Sequence, residues 1–431
     1  MLRSFLRYSP FALPLLMISG CGGGSSHSGG GGVTPTTVTV TFAGPAPTAV
    51  ATKIGSGQFS AGAVSSGKVT LSLPSGTTSF AVAYVCPAIT SVYYPSQTYQ
   101  FVMGATTADG TTFTQSCAAS ASQTGPLTIN MDITALSDES GVFVQAVSGG
   151  DEPWATSTDC SNGFDGAVQA PLGSDTVEIL SYSGDFQDQV LAGVKVFNNQ
   201  PVPGTVDGGN VVYLGTPDET TEQPITISND LEGESTIASN ASYYLTGKGI
   251  PIALGNRPSE YSVVPADVAQ TSGIYVVEAQ ESQDAAAPTI GTSAVSTTIS
   301  TNTPGPLAII LPNVWTFSAP SPAAAPTFAM NYTGFAGKSS VHQSAEIGWD
   351  LTDDSLATYS MDVTENYLNG ATSLALPDLS SISGFLPLPA SGTSISWSAT
   401  VSEGNIGNSM QGYLPDASTM AVSSSGNYRV P

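Results

Sequence analysis

Ile395-Ser396-Trp397-Ser398-Ala399-Thr400-Val401 puts an apolar side chain at every second position and a hydroxyl between each pair. Successive side chains of a β-strand point to opposite faces, so this segment makes one dry face and one wet face. A helix would scatter the same residues around its circumference. The pattern recurs along the chain. Val38, Val40 and Phe42 alternate with threonines, and Val69, Leu71 and Leu73 with Thr70 and Ser72. Leu127, Ile129, Met131 and Ile133 alternate with Thr128, Asn130 and Asp132, and Ala357, Tyr359, Met361 and Val363 with Thr358, Ser360 and Asp362. Antiparallel sheets with one solvated side have this signature. Phe80-Ala81-Val82-Ala83-Tyr84-Val85-Cys86 is apolar on both faces and predicts a central strand.

Turn residues punctuate the strands at Pro74-Ser75-Gly76, Asp109-Gly110, Asp207-Gly208-Gly209 and Asn369-Gly370. Helical periodicity is nearly absent. Pro377 to Ile382, with Gly384 beyond it, predicts one helical turn. The predicted class is all-β: tandem antiparallel β-sandwich modules on a flexible N-terminal tether. Composition shifts divide the chain into a signal segment at 1–20, a Gly/Ser tether at 21–34, a β-sandwich module at 35–135 and a second β region at 136–283. A Ser/Thr/Pro-rich linker at 284–326 and a C-terminal β module at 327–431 complete the division. Ala319-Pro320-Ser321-Pro322-Ala323-Ala324-Ala325-Pro326 reads as a stiff connector. No internal repeat aligns in the sequence.

The first residues carry an export signal. Arg3 and Arg7 are basic, Phe11 to Ile18 is apolar, and Ser19-Gly20 precede Cys21. The apolar run is shorter than the roughly 20 residues needed to span a bilayer. Ile18-Ser19-Gly20-Cys21 resembles the lipobox of bacterial lipoprotein precursors. The resemblance implies cleavage before Cys21, lipidation of its thiol and attachment to the cell envelope. Gly22, where that family's sorting rules use Asp for inner-membrane retention, implies the outer membrane. Two or three acyl chains anchor a protein stably, at ~0.8 kcal/mol per buried methylene. Within 35–135, Pro47-Thr48-Ala49-Val50-Ala51, Gly55-Ser56-Gly57-Gln58-Phe59 and Thr70 to Thr77 resemble transthyretin-like or carboxypeptidase-regulatory-like sandwiches. Those modules are structural or adhesive, so the resemblance implies no activity.

The 431 residues include 9 basic and 33 acidic ones, a formal net charge of −24. Losing Arg3 and Arg7 makes the remainder more acidic still. Such a chain repels nucleic acid and anionic lipid surfaces, so the lipid does the anchoring. Cys86, Cys117 and Cys160 follow Cys21 and allow three single-disulfide pairings. An exported compartment favours a bond. Cys86–Cys117, closing one stretch of the first module, is the preferred pair.

Catalytic residues are scarce. A Ser-His-Asp arrangement would have to use His342, since His27 lies in the tether, and no Gly-x-Ser-x-Gly elbow occurs. His342 therefore reads as a lone surface histidine. Acidic loops at Asp218, Glu219 and Glu222, and at Asp230, Glu232 and Glu234, make calcium the one cofactor worth testing; otherwise they are solvated turns. Asp159, Asn162 and Asp165 form a similar loop. Lys53 or Lys68 facing Asn130 would offer an isopeptide bond; exposed strand-end lysines are the ordinary reading. Tyr93 and Tyr94, on a loop between Cys86 and Cys117, are candidate contacts for a glycan or protein partner. Trp154, Trp315, Trp349 and Trp397 are alternatives.

These features predict a non-enzymatic, lipid-anchored envelope protein of structural or adhesive type. Its expected partners are the membrane, through the lipid, and other envelope proteins or glycan, with no nucleic acid. The alternatives are a lipoprotein that binds carbohydrate or another extracellular ligand and, third, an exported hydrolase with a carboxylate site.

Overall fold

The structure is a computed structural model, and it describes residues 35–89, 96–117, 124–132, 141–146, 154–157, 164–183, 190–202, 209–214, 218–228, 236–245, 251–283, 293–312, 319–329, 341–351, 355–403 and 417–431. Their regular secondary structure is almost all strand. The first seven are β1 (Thr36–Ala43), β2 (Ala49–Ile54), β3 (Ser60–Ala61), β4 (Lys68–Leu73), β5 (Ser79–Val85), β6 (Gln97–Thr106) and β7 (Thr112–Ser116). Next come β8 (Thr124–Asp132), β9 (Gly141–Ala146), β10 (Trp154–Ser157), β11 (Phe164–Pro171), β12 (Gly173–Ser183), β13 (Val190–Val202) and β14 (Gly209–Leu214). A two-residue strand, β15 (Asp218–Glu219), precedes β16 (Thr221–Ser228), β17 (Thr236–Tyr244), β18 (Ile252–Gly255), β19 (Glu260–Val263), β20 (Ile274–Gln283), β21 (Ser293–Thr301) and β22 (Leu307–Ile310). The last are β23 (Thr327–Ala329), β24 (Val341–Asp350), β25 (Leu356–Thr364), β26 (Ser373–Ala375), β27 (Ser394–Glu403) and β28 (Ala417–Arg429).

Their pairing reveals a repeat that the sequence hides. In the first unit β4, β1 and β7 form a small sheet, with β1 central, antiparallel to β4 and parallel to β7. The order β11-β8-β14 repeats this, with the same two directions, and so does β19-β16-β22. β23 and β26 pair antiparallel in the fourth unit. The intervening hairpins make four-stranded sheets in the order β3-β2-β5-β6, then β10-β9-β12-β13, β18-β17-β20-β21 and β25-β24-β27-β28. Each unit is therefore a small sheet and a four-stranded sheet interleaved along the chain. Thr36, Thr124, Thr221 and Thr327 open the four units.

The four-stranded sheets join edge to edge. β6 of the first unit runs parallel to β25 of the fourth, from Gln97↔Leu356 to Gly104↔Val363. β28 of the fourth pairs antiparallel with β21 of the third. Between the second and third units, Val190 of β13 pairs with Gly255 of β18. Side chains close this junction: Ser262 donates to the Leu191 carbonyl at 2.7 Å, and Tyr182 to the Ala253 carbonyl at 3.1 Å. The spatial order of units is thus first, fourth, third, second.

The all-β, sandwich-like class follows from the sequence pattern. Val38, Val40, Leu71 and Leu73 are buried in the first unit, as their alternation predicts. β5 is buried on both faces, because Phe80, Val82 and Tyr84 meet the small sheet while Ala81, Ala83 and Val85 join the core shared with the other units. Each large apolar side chain buried in this way contributes about 1.5–3 kcal/mol.

The stretch 136–283 does not form one region: its strands belong to the second and third units, and β8 of the second starts at Thr124. Nor is 284–326 simply a linker. It supplies β21 and β22 of the third unit. Val295 and Thr297 of β21 are buried, and the Thr297 hydroxyl donates to the Ile310 carbonyl at 2.7 Å. The proline-rich segment is docked, since Pro320 and Pro326 are buried and Tyr428 donates to the Ala323 carbonyl at 2.7 Å. The helical turn expected at Pro377–Ile382 is a series of turns, because Asp378 takes the N–H and hydroxyl of Ser380 at 2.9 and 2.6 Å. The one helix among the described residues is α1 (Glu365–Leu368), capped by Thr364 and closed by left-handed Asn369.

Candidate functional site

Three neighbouring strands of the fourth unit bring polar residues into register. In β24 the odd positions Val341, Gln343 and Ala345 are buried, which turns His342 and Ser344 to the other face. His342 stands opposite Ser402 of β27 on one side and Thr364 of β25 on the other. Asp362, opposite Ser344, is the diagonal neighbour of His342, within reach of a long or aromatic side chain. The result is a Ser-His-Asp chain: His342 Nδ1 lies 2.7 Å from Asp362 Oδ1, and His342 Nε2 lies 2.9 Å from Ser402 Oγ.

A carboxylate only accepts, so Nδ1 carries the proton and donates to Asp362. In the neutral imidazole Nε2 is left as an acceptor for the Ser402 O–H. The imidazole is 17% exposed and Asp362 30%. Burial alone would lower the His342 pKa, but the charge of Asp362 and its hydrogen bond outweigh it and raise the value.

The same strands lead to the junction with the first unit. Asp362 stands beside Met103 of β6. Burial, then the Asp362 charge, pushes the Tyr84 phenol up, and its hydroxyl donates to Gln115 Oε1 at 2.8 Å. Thr364 donates to Asp109 Oδ2 at 2.7 Å and Asn366 to Asp109 Oδ1 at 2.6 Å. The Lys53 ammonium lies 5.9 Å from the Tyr367 ring centre and 6.0 Å from that of Phe59.

His342 is therefore not a lone surface histidine. Cross-strand register supplies both partners, and one lies 60 residues away in the chain. The Cys86–Cys117 disulfide is present, with Cα atoms 5.3 Å apart, and ties the end of β5 to the end of β7. Tyr93 and Tyr94 lie outside the described residues, as do Cys21, Cys160, Asp230, Glu232, Glu234 and Trp315. Trp349 and Trp397 are buried, with Trp397 6.1 Å from the Phe328 ring, so they are core and not ligand platforms. Asp218 and Glu219 extend the edge of β13, and Glu222 pairs with Ser262. Among the described residues no three His, Cys, Asp or Glu side chains group as a metal site. Lys53 and Lys68 belong to the first unit, whereas Asn130 pairs with Asp165 and Val212 in the second. No protein-family model matches the chain, and no curated protein matches it.

Proposed function

We propose that this is a lipid-anchored cell-envelope protein with a structural or adhesive task. The joining of four sandwich units into one hydrogen-bonded sheet carries the reading. A chain built only to present separate binding modules has no need of strand pairing between them. Here the seam between the first and fourth units carries strand pairing, side-chain hydrogen bonds and an aromatic–cation contact, and interactions of this kind favour a stiff body over beads on a string. The Ile18-Ser19-Gly20-Cys21 sequence supports the anchor, and the acidic composition leaves adhesion to the lipid and not to surface charge.

Mass spectrometry of the protein taken from its native membrane tests the proposal. The expected result is an N-terminus at Cys21 carrying acyl mass, on a chain released from cells only by detergent. An unmodified chain in the soluble fraction would remove the anchor and the envelope role with it.

A further inference from the structure

We propose that Ser402 is an activated nucleophile that accepts acyl groups from activated esters and phosphonyl groups from fluorophosphonates, with His342 as its general base and Asp362 as the group that orients the imidazole. The inference goes beyond the structural reading and does not depend on it. It rests on the two hydrogen bonds, 2.9 Å from Ser402 Oγ to His342 Nε2 and 2.7 Å from His342 Nδ1 to Asp362 Oδ1. Nucleophile, base and orienting carboxylate within hydrogen-bond reach are the geometric signature of nucleophilic catalysis on unrelated folds. The three residues come from adjacent strands, whose ladders fix their spacing. The partial burial of His342 protects its bond to Asp362 from water.

The step balances without a cofactor. Ser402 Oγ bonds to the ester carbonyl carbon while its proton moves to His342 Nε2. The ester C–O bond breaks and the leaving alkoxide takes that proton; with a fluorophosphonate the P–F bond breaks instead, fluoride leaves and the serine proton passes through Nε2 to water. Water, deprotonated by the same imidazole, then releases the acid and restores the serine. Strands flank Ser402 on both sides, opposite His342 and Ala421, so its backbone N–H serves the sheet and not an oxyanion. The site therefore has the general base's share of catalysis, about 10²–10⁴-fold, and reaches activated donors only.

Treating the full-length protein with an alkyl fluorophosphonate and mapping adducts by peptide mass spectrometry tests this. The fluorophosphonate should label Ser402 at least about 10²-fold faster than any other serine, the lower end of that general-base range. Labelling should fall on acidification, as Nε2 gains a proton and no longer accepts. His342→Gln should reduce it about tenfold or more, and Asp362→Asn by less. The pH profile of the unaltered protein stands even if a variant fails to fold. No adduct on Ser402 of folded protein, or labelling that ignores pH, would overturn the proposal and leave the three residues as a hydrogen-bonded stitch between strands.

Discussion

The hydroxyl of Thr364 donates a 2.7 Å hydrogen bond to Asp109 Oδ2 across 255 residues of sequence. Asp109 also accepts from the N–H and hydroxyl of Thr106 at 2.8 and 2.9 Å, so one carboxylate closes its own turn and holds the fourth unit to the first. Thr364 is at once the cap of α1, taking the Tyr367 N–H at 3.1 Å. Burial alone would raise the Asp109 pKa. The hydrogen bonds from Thr364, Asn366 and Thr106 outweigh it and hold the carboxyl below its ordinary value.

Asp109→Ala should destabilise the protein by about 1–3 kcal/mol, as expected for lost hydrogen bonds to a partly exposed charge. A carboxyl with a depressed folded pKa contributes its full stability above the unfolded value, ~3.9. That contribution is lost as pH falls through the folded value. Urea melts at pH 3 to 7 should show Asp109→Asn losing less stability on acidification than the unaltered chain. Parallel curves would show that the seam does not depend on this charge.

His342 has the opposite sign. Its folded pKa is raised, so its stabilisation is complete below the unfolded value, ~6.5, and is lost as pH rises through the folded one. The stability advantage of the unaltered protein over His342→Gln should be largest near pH 5.5 and shrink above neutrality. Equilibrium denaturation of the pair across that range reads it directly.

The Cys86–Cys117 link closes 31 residues and joins the two sheets of the first unit. By chain-entropy reasoning, replacing both cysteines with serine should cost about 3–4 kcal/mol. Thermal unfolding followed by limited proteolysis should locate the loss in residues 36–116. Equal losses across all four units would mean that the whole sheet unfolds as one.

Gly273 precedes β20 in the third unit. A Cβ there would collide with Tyr243 Oη and Cζ. That ring is buried 4.6 Å from Tyr275, and its oxygen accepts the Gln270 N–H at 2.7 Å. Gly273→Ala should therefore destabilise by about 1–3 kcal/mol. Pairing it with Tyr243→Phe, which removes the oxygen, should recover part of the loss in a double-mutant cycle.

Alternation made the strands legible where the buried face is purely apolar, as in β4, β25 and β27. It failed at β21, where Thr297 and Thr301 occupy buried positions and satisfy their hydroxyls on the Ile310 and Thr303 carbonyls at 2.7 and 3.0 Å. Buried hydroxyls erase the contrast between faces, so a strand looked like a Ser/Thr-rich linker. The fourfold repeat was hidden because pairing order, and not residue identity, is what the units share. The Ser402–His342–Asp362 chain was hidden for a related reason. Its members are ordinary wet-face residues until the register of β24 with β25 and β27 is known.

The parallel pairing of β6 with β25 also sets a schedule for assembly. The two strands are separated by most of the chain, and among the described residues β25 supplies the outer partner of β6. Until Leu356–Thr364 arrives, the hydrogen-bonding groups along that side of Gln97–Thr106 have no strand partner, on a strand whose second half is largely apolar. Such an edge invites pairing with another chain, and contacts this distant form late. The first unit is thus the earliest of the four to emerge, yet it stays open along β6 until the fourth unit arrives, and for that interval its safety rests with whatever escorts the nascent chain.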